Sequence, residues 1–113
     1  MLATARIAAI MAAKRTAELI PLCHPLHLDH VAVDFEFLDD PPGLGITCAT
    51  RCRAATGVEM EALTAASVAG LTVIDMLKAM DPWITVNDIR LLRKAGGRHG
   101  LRERPPEMTT PSR

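Results

Sequence analysis

Residues 57–78 read GVEMEALTAASVAGLTVIDMLK, and this stretch decides the fold. Two carboxylates open it, Glu59 and Glu61. Residues 62–74 then carry no charge at all, and charge returns only with Asp75 and Lys78. Thirteen uncharged positions rich in Ala, Val and Leu predict a helix buried on most sides. Such a helix needs a reason for the acids at one end and the acid–base pair at the other.

Working outward from it, Thr56 is a candidate N-cap, with Glu59 as the other half of a capping box. The helix should run over residues 58–80 and stop at Asp81-Pro82. Upstream, residues 30–38 alternate, with Val31, Val33, Phe35 and Phe37 on one face. Residues 39–43, DDPPG, form a turn. Residues 44–53 alternate again, with Ile46, Cys48, Thr50 and Cys52 together, so the two strands predict an antiparallel hairpin. Residues 2–19 read as one Ala-rich helix with Ala3, Ile7, Ile10 and Met11 as its apolar stripe. No capping residue precedes it, which leads one to expect a further segment upstream. Residues 20–28, IPLCHPLHL, are a loop stiffened by Pro21 and Pro25. Residues 83–93 predict a third strand that loses phase near Asn87-Asp88.

The order α-β-β-α-β is a split unit of the ferredoxin-like α+β sandwich, β-α-β-β-α-β, with the first strand missing. That strand lies inside the sheet, so its loss would leave a gap rather than a trimmed edge. One domain over residues 1–100 and a flexible tail over 101–113 are expected.

Composition narrows the function classes. Aromatics make up only 3% of the 113 residues, so the core must be built from Ala, Leu, Ile, Val and Met. A modest core of that kind often gains stability from a partner subunit. A net charge of +0 argues against a general nucleic-acid binder. Basic residues nevertheless crowd residues 90–104, where six face the single acid Glu103, a tract suited to a phosphorylated small molecule. The three cysteines show no disulfide-framework spacing, Arg6 interrupts what would be a signal-peptide apolar region, and no uncharged run reaches the ~18–20 residues of a bilayer span. A reduced, cytoplasmic protein without a membrane partner is the expectation.

The candidate chemistry lies in four places. Asp75 and Lys78, at i and i+3, share a helical face. They can be a plain surface ion pair, or a desolvated acid–base pair whose members tune each other. Glu59 and Glu61 diverge on the helix, so one can cap while the other faces a pocket; both can also be acids favoured by the helix dipole. Cys23 and His24 sit in the stiff loop. Neighbours in sequence are not a catalytic pair by themselves, and His24 can serve as a hydrogen-bond or charge partner for a ligand. Lys14, Arg15, Arg51, Arg53, Lys94 and Arg98 are candidate phosphate contacts or solvated charges. Cys48 and Cys52 stand about 13 Å apart at strand rise, too far to chelate together, and no zinc-type spacing is present, so no metal site is expected. No P-loop, dinucleotide fingerprint or nucleophile elbow occurs.

Three segments carry a resemblance. AAKRTAELIPLCHPL (12–26), TGVEMEALTAASVAGLTVIDMLKAM (56–80) and DIRLLRKAGGRHG (88–100) closely resemble the molybdenum cofactor biosynthesis protein C family, in its order and spacing. The resemblance covers residues 2–100 and implies a lyase, cyclic pyranopterin monophosphate synthase. That activity rearranges 3′,8-cyclo-7,8-dihydroguanosine 5′-triphosphate and releases diphosphate. It implies a homo-oligomer, a hexamer built from dimers, with sites at subunit interfaces. It implies no cofactor of the protein's own, though Mg2+ can accompany the triphosphate. By resemblance, Asp75 is the catalytic aspartate and Lys78 its neighbouring lysine. Leu22, Cys23, His24, Met60 and Glu61 match substrate contacts, with Glu59 beside them, and Lys94 and Arg51 match positions that would bind triphosphate. The chain departs from the family in three ways. A further active-site lysine and a strand belong ahead of Met1, Asn87 replaces a usual Gly, and the GGKSG-type segment is Gly96-Gly97-Arg98-His99-Gly100. The rival reading is a truncated or diverged non-catalytic homologue that assembles with a full-length subunit or binds guanine nucleotide without turnover.

Overall fold

A computed structural model describes residues 1–53, 58–95 and 101–105. Helix α1 spans Leu2–Lys14 and a single further turn, α2, spans Thr16–Leu19. Strands β1 (His30–Asp39) and β2 (Pro42–Arg51) form an antiparallel hairpin. The long helix α3 runs over Glu59–Leu77, and two short strands, β3 (Arg93–Lys94) and β4 (Arg102–Glu103), pair antiparallel beyond it. The architecture is α+β, antiparallel strands packed against helices, consistent with a ferredoxin-like arrangement.

The hairpin follows its alternation. Val33 stands opposite Cys48, Phe35 opposite Ile46, and Val31 opposite Thr50. Val33 is buried, and the others in these pairs are partly covered by the helices. Phe37, on the same face, lies nearer the hairpin tip and is 70% exposed. Arg6 clamps α1 to this sheet: its Nε and Nη2 donate to the Val33 carbonyl at 3.2 and 3.1 Å, and its guanidinium lies 5.2 Å from the Phe35 ring centre. Cys48 packs inward, and burial, then Asp34, pushes its thiol up to about 11.

The helices meet along alanines. Ala5, Ala9, Ala12 and Ala13 are the buried positions of α1, and Ala65 and Ala69 are their counterparts on α3. Side chains this small let two helix backbones approach closely, so the seam is filled by methyl groups. The expected stripe of Ala3, Ile7, Ile10 and Met11 is therefore corrected. Only Ile10 packs against the core, while Ala3 is exposed, Ile7 is 60% exposed and Met11 is 47% exposed. Hydropathy ranks Ile and Met above Ala, but a close seam selects by size.

The single helix expected over residues 2–19 is broken at Arg15, whose φ of -110° and ψ of 15° leave the helical range. Thr16, 1% exposed, stabilises the break by donating its hydroxyl to the Ala12 and Ala13 carbonyls at 3.1 and 3.0 Å. Helix α3 is shorter at both ends than expected. Its start is tied to the sheet, since the Thr50 hydroxyl donates to the Val58 carbonyl at 2.9 Å; the Thr56 cap lies outside the described residues. By length and composition alone α3 could cross a membrane, but α1 and β2 pack against it. The expectation of a helix buried on most sides is met only in part in the single chain, where 33% of that stretch is buried.

The third strand expected over residues 83–93 is also corrected. Residues 83–92 join no ladder, and only Arg93–Lys94 is strand, paired with Arg102–Glu103. In the ferredoxin-like order the strand ahead of α1 separates β2 from this segment. The described residues contain no such strand, so neither β2's outer edge nor residues 83–92 has a ladder partner among them. The segment is held from above instead: a Cβ placed on Gly70 of α3 would sit 3.1 Å from Val86 Cγ2. Asp88, where the alternation loses phase, takes φ 53°, but with no ladder there among the described residues the expected bulge does not form. Residues 101–105, expected to begin a flexible tail, fold back instead: the Arg104 amide donates to the Leu92 carbonyl at 2.6 Å and its Nε to the Leu91 carbonyl at 2.6 Å.

The alanine seam makes a direct prediction. Ala9→Leu or Ala65→Leu should destabilise the chain by about 1–3 kcal/mol in chemical denaturation, through overpacking. Ile7→Ala, at the larger but exposed side chain, should cost under about 0.5 kcal/mol in the same assay on the monomer. Reversal of that order would place the seam elsewhere.

Candidate functional site

The loop after α2 is shaped by local chemistry. Pro21 cannot continue the helix, and the Cys23 amide donates to the Ile20 carbonyl at 3.3 Å to close a tight turn. Leu22, at the crest of this turn, is fully exposed and takes φ 66°. A left-handed Leu costs about 1–2 kcal/mol relative to the right-handed form. Backbone strain at an exposed crest is common where a loop presents groups to a ligand.

This loop faces the first turn of α3 across a cavity of about 430 Å³, large enough for a nucleotide-sized ligand. Its walls are Ile20, Pro21, Leu22, Cys23, His24 and Leu26 from the loop, and Glu59, Met60 and Glu61 from the helix. Six residues expected to touch substrate therefore converge: Leu22, Cys23, His24, Glu59, Met60 and Glu61. Loop and helix start are 38 positions apart at Cys23 and Glu61, and the helix–hairpin packing brings them together. Ile20, Pro21 and Leu26 were not expected as walls; the two prolines marked the loop as stiff but not which apolar side chains would turn inward.

The two glutamates differ in setting. Glu61 is 4% exposed, and its Oε2 accepts from the Cys23 thiol at 3.7 Å. Partial burial of Cys23, and then the charge of Glu61, hold that thiol above its ordinary range. Cys23 is thus a neutral donor at physiological pH rather than a thiolate nucleophile. Glu59 binds Lys94, with Nζ 3.1 Å from Oε1, while its Oε2 is buried and accepts no hydrogen bond. An unsatisfied buried acceptor costs about 1–3 kcal/mol, unless a ligand supplies the donor.

The remaining expected residues lie elsewhere. Arg51 is exposed at the end of β2, and it is its carbonyl that is engaged, accepting from the Asp29 amide at 2.8 Å. Lys94 meets the cavity only through Glu59. Asp75 and Lys78 form an ion pair of 2.8 Å at the other end of α3, with side chains 72% and 63% exposed. The expectation of a desolvated pair is corrected for the single chain: Asp75 follows Leu71, 60% exposed, on the uncovered face of α3, while Val73 on another face is buried. Each group holds the other charged, first through the hydrogen bond and then through Coulomb attraction, with Asp75 lowered and Lys78 raised. Helix rise puts Asp75 about 21 Å from Glu61. A second cavity of about 400 Å³ lies across the loop, lined by Pro25, Leu26, His27, Asp29, Cys52 and Arg53, with Arg53 Nε 3.6 Å from Asp29 Oδ1. Among the described residues no three of His, Cys, Asp and Glu gather as a metal site.

The contact between Cys23 and Glu61 predicts a measurable coupling. Glu61→Gln removes the charge but keeps the shape, so the midpoint of Cys23 alkylation should move to lower pH. The check is the pH dependence of the labelling rate by mass spectrometry. An unmoved midpoint would mean that Glu61 does not act on the thiol.

Comparison with known proteins shows the family. A model of the MoaC family matches residues 1–97. The chain is 60% identical over 108 residues to the cyclic pyranopterin monophosphate synthase of Methylobacterium nodulans, covering 94% of this chain and 66% of the relative. It is 56% identical over 107 residues to the protein of that name from Chloroflexus aurantiacus, covering 93% and 64%. For the one from Nocardioides sp. the identity is 55% over 105 residues, covering 92% and 64%. The chain thus spans just under two thirds of the length of these relatives. With the family match covering most of its residues, the chain belongs to the MoaC family.

Proposed function

We propose that the chain acts as a cyclic pyranopterin monophosphate synthase. It would convert 3′,8-cyclo-7,8-dihydroguanosine 5′-triphosphate to cyclic pyranopterin monophosphate and diphosphate, in the cytoplasm. The observation that carries this reading is the cavity where Leu22–His24 meets Glu59–Glu61, on a chain similar to proteins of that name.

The roles follow from the chemistry. His24, the Cys23 thiol and the two glutamates line a polar end of the cavity, where a heterocycle rich in N–H groups and carbonyls can be held. Asp75 and Lys78 supply the acid–base step. In the single chain mutual pairing holds Asp75 as a carboxylate and Lys78 as an ammonium, away from neutrality, so the acid–base step relies on a covered form in which burial brings both back toward it. Arg51, on the strand ahead of α3, supplies positive charge to the triphosphate and the departing diphosphate. Any Mg2+ would arrive with the triphosphate.

One copy cannot bring Asp75 to its own cavity along a straight helix. The active form is a homo-oligomer built on dimers, a hexamer in full, in which the far end of α3 closes the cavity of another copy. Leu71, Asp75 and Lys78 share one helical stripe, and Leu71 and the neighbouring Met80 and Trp83 are 60%, 79% and 84% exposed. That apolar surround would desolvate the ion pair once a partner covers it.

The test is turnover. Purified chain incubated with the cyclised triphosphate should yield the pyranopterin product by mass spectrometry, with diphosphate released in step. Asp75→Asn and Lys78→Ala should each lower kcat by about 10²-fold or more, with unchanged circular dichroism. Full activity in either variant would remove that residue from the acid–base role. Because the pair lowers Asp75 and raises Lys78, the ion pair should show in the acid limb of the kcat profile. Lys78→Arg, if active, should retain the acid limb. Lys78→Ala should move it to higher pH, since Asp75 loses the partner that lowers its pKa.

A further inference from the structure

Lys94 was expected to meet the triphosphate directly, yet its ammonium is already engaged. It lies 3.1 Å from Glu59 Oε1, with side chains only 24% and 30% exposed, and Glu59 rather than Lys94 forms the cavity wall. Resting on the reading of this cavity as the substrate site, we infer that Lys94 is a positioning residue that acts on the ligand through Glu59.

Three observations support this assignment. The first is the direction of constraint. Lys94 sits in β3, opposite Arg102 of β4, and like charges in register favour turning one of them elsewhere. Glu59 is where Lys94 goes. The second is that the carrier of Lys94 is pinned from behind. The Arg104 amide and Nε donate to the carbonyls of Leu92 and Leu91, and Arg93 Nε lies 3.5 Å from Glu103 Oε1. Residues 101–105 thereby fix residues 91–94, and Lys94 fixes the carboxylate at the first turn of α3. The third is what the pairing leaves over. Only Oε1 is used, while Oε2 is buried and has no donor.

The last torsion of a glutamate is soft, so a modest turn can present Oε2 to the cavity without moving the helix. A carboxylate held by one oxygen recognises an N–H donor with the other. The chemistry it fits is the N–H edge of an amino-substituted pyrimidinone, the part of a guanine-derived ligand opposite in character to its phosphates. Lys94 then governs recognition of the ring rather than of the triphosphate tail.

The two roles separate by probe. Full-length chain is titrated calorimetrically with guanosine and with inorganic triphosphate, as wild type, Lys94→Met, Lys94→Arg and Glu59→Gln. As a positioning residue, Lys94 predicts that Lys94→Met weakens guanosine by about tenfold and changes inorganic triphosphate less than about twofold. Lys94→Arg, which keeps the ion pair, should recover most of the guanosine affinity. Lys94→Met with Glu59→Gln should lose little more than Glu59→Gln alone, because both act through one carboxylate. The inference is overturned if Lys94→Met weakens inorganic triphosphate about tenfold while guanosine is unchanged, or if the two losses simply add. Wild-type chain that bound neither probe would overturn the reading of the cavity and the positioning role with it. Wild type binding both, with the first outcome pattern reversed, would leave the cavity standing and reject only the role of Lys94.

Discussion

The close approach of α1 and α3 along Ala9, Ala13, Ala65 and Ala69 is the constraint on which the rest of this structure depends. Alanine contributes little apolar area, so the seam is not where most burial energy resides. Its value is geometric. Two helices brought close by methyl groups form a flat layer that covers Val33, Phe35, Ile46 and Cys48 of the hairpin at once. The same seam fixes where each helix ends. The end of α1 passes through the Thr16 break into the loop carrying Cys23 and His24, and the start of α3 carries Glu59 and Glu61. The cavity is the space beside the Cys23–Glu61 contact that joins those two ends.

The cavity carries structural costs of several kinds. Glu61 is almost wholly buried beside a thiol that is a weak donor, Glu59 leaves one oxygen unsatisfied, and Leu22 holds a left-handed backbone. Each feature opposes stability. Together they lie within one loop and one helical turn. Asp88 bears similar costs away from the cavity, a buried unpaired Oδ2 and a φ of 53°; at the cavity, bound donors would relieve the carboxylates.

Much of this was legible in the residues. The hairpin followed from alternation at Val31–Phe37 and Ile46–Thr50, and helix α3 from its uncharged interior, though not how little of it one chain covers. The grouping of Leu22–His24 with Glu59–Glu61 came from the resemblance, and its convergence on one cavity depends on packing that no local pattern carries. The alanine face of α1 was hidden because periodicity counts hydrophobic side chains, and Ile7 and Met11 outweigh alanines in that count. Residues 83–92 look like a strand by composition, but a strand needs a ladder partner, and partners are a property of the sheet. The bond between Lys94 and Glu59 joins positions 35 apart, and only the fold discloses that two residues expected to bind substrate bind one another. The exposure of Asp75 was hidden for a similar reason: Val73 is buried just ahead of it, but Asp75 follows Leu71 on the face that neither α1 nor the sheet covers.

The central claim is that the two ends of α3 serve two different copies of the chain. The most direct measurement mixes two inactive variants, Glu61→Gln at the cavity end and Asp75→Asn at the far end, after unfolding and refolding them together. If each site combines residues from two copies, mixed assemblies contain some sites free of both substitutions. Synthase activity should then return to roughly a quarter of wild type for a two-fold pair. Activity that stays at the level of the separate variants, in mixtures shown by mass spectrometry to contain mixed assemblies, would contradict the account and place both ends of the helix in a single copy's chemistry.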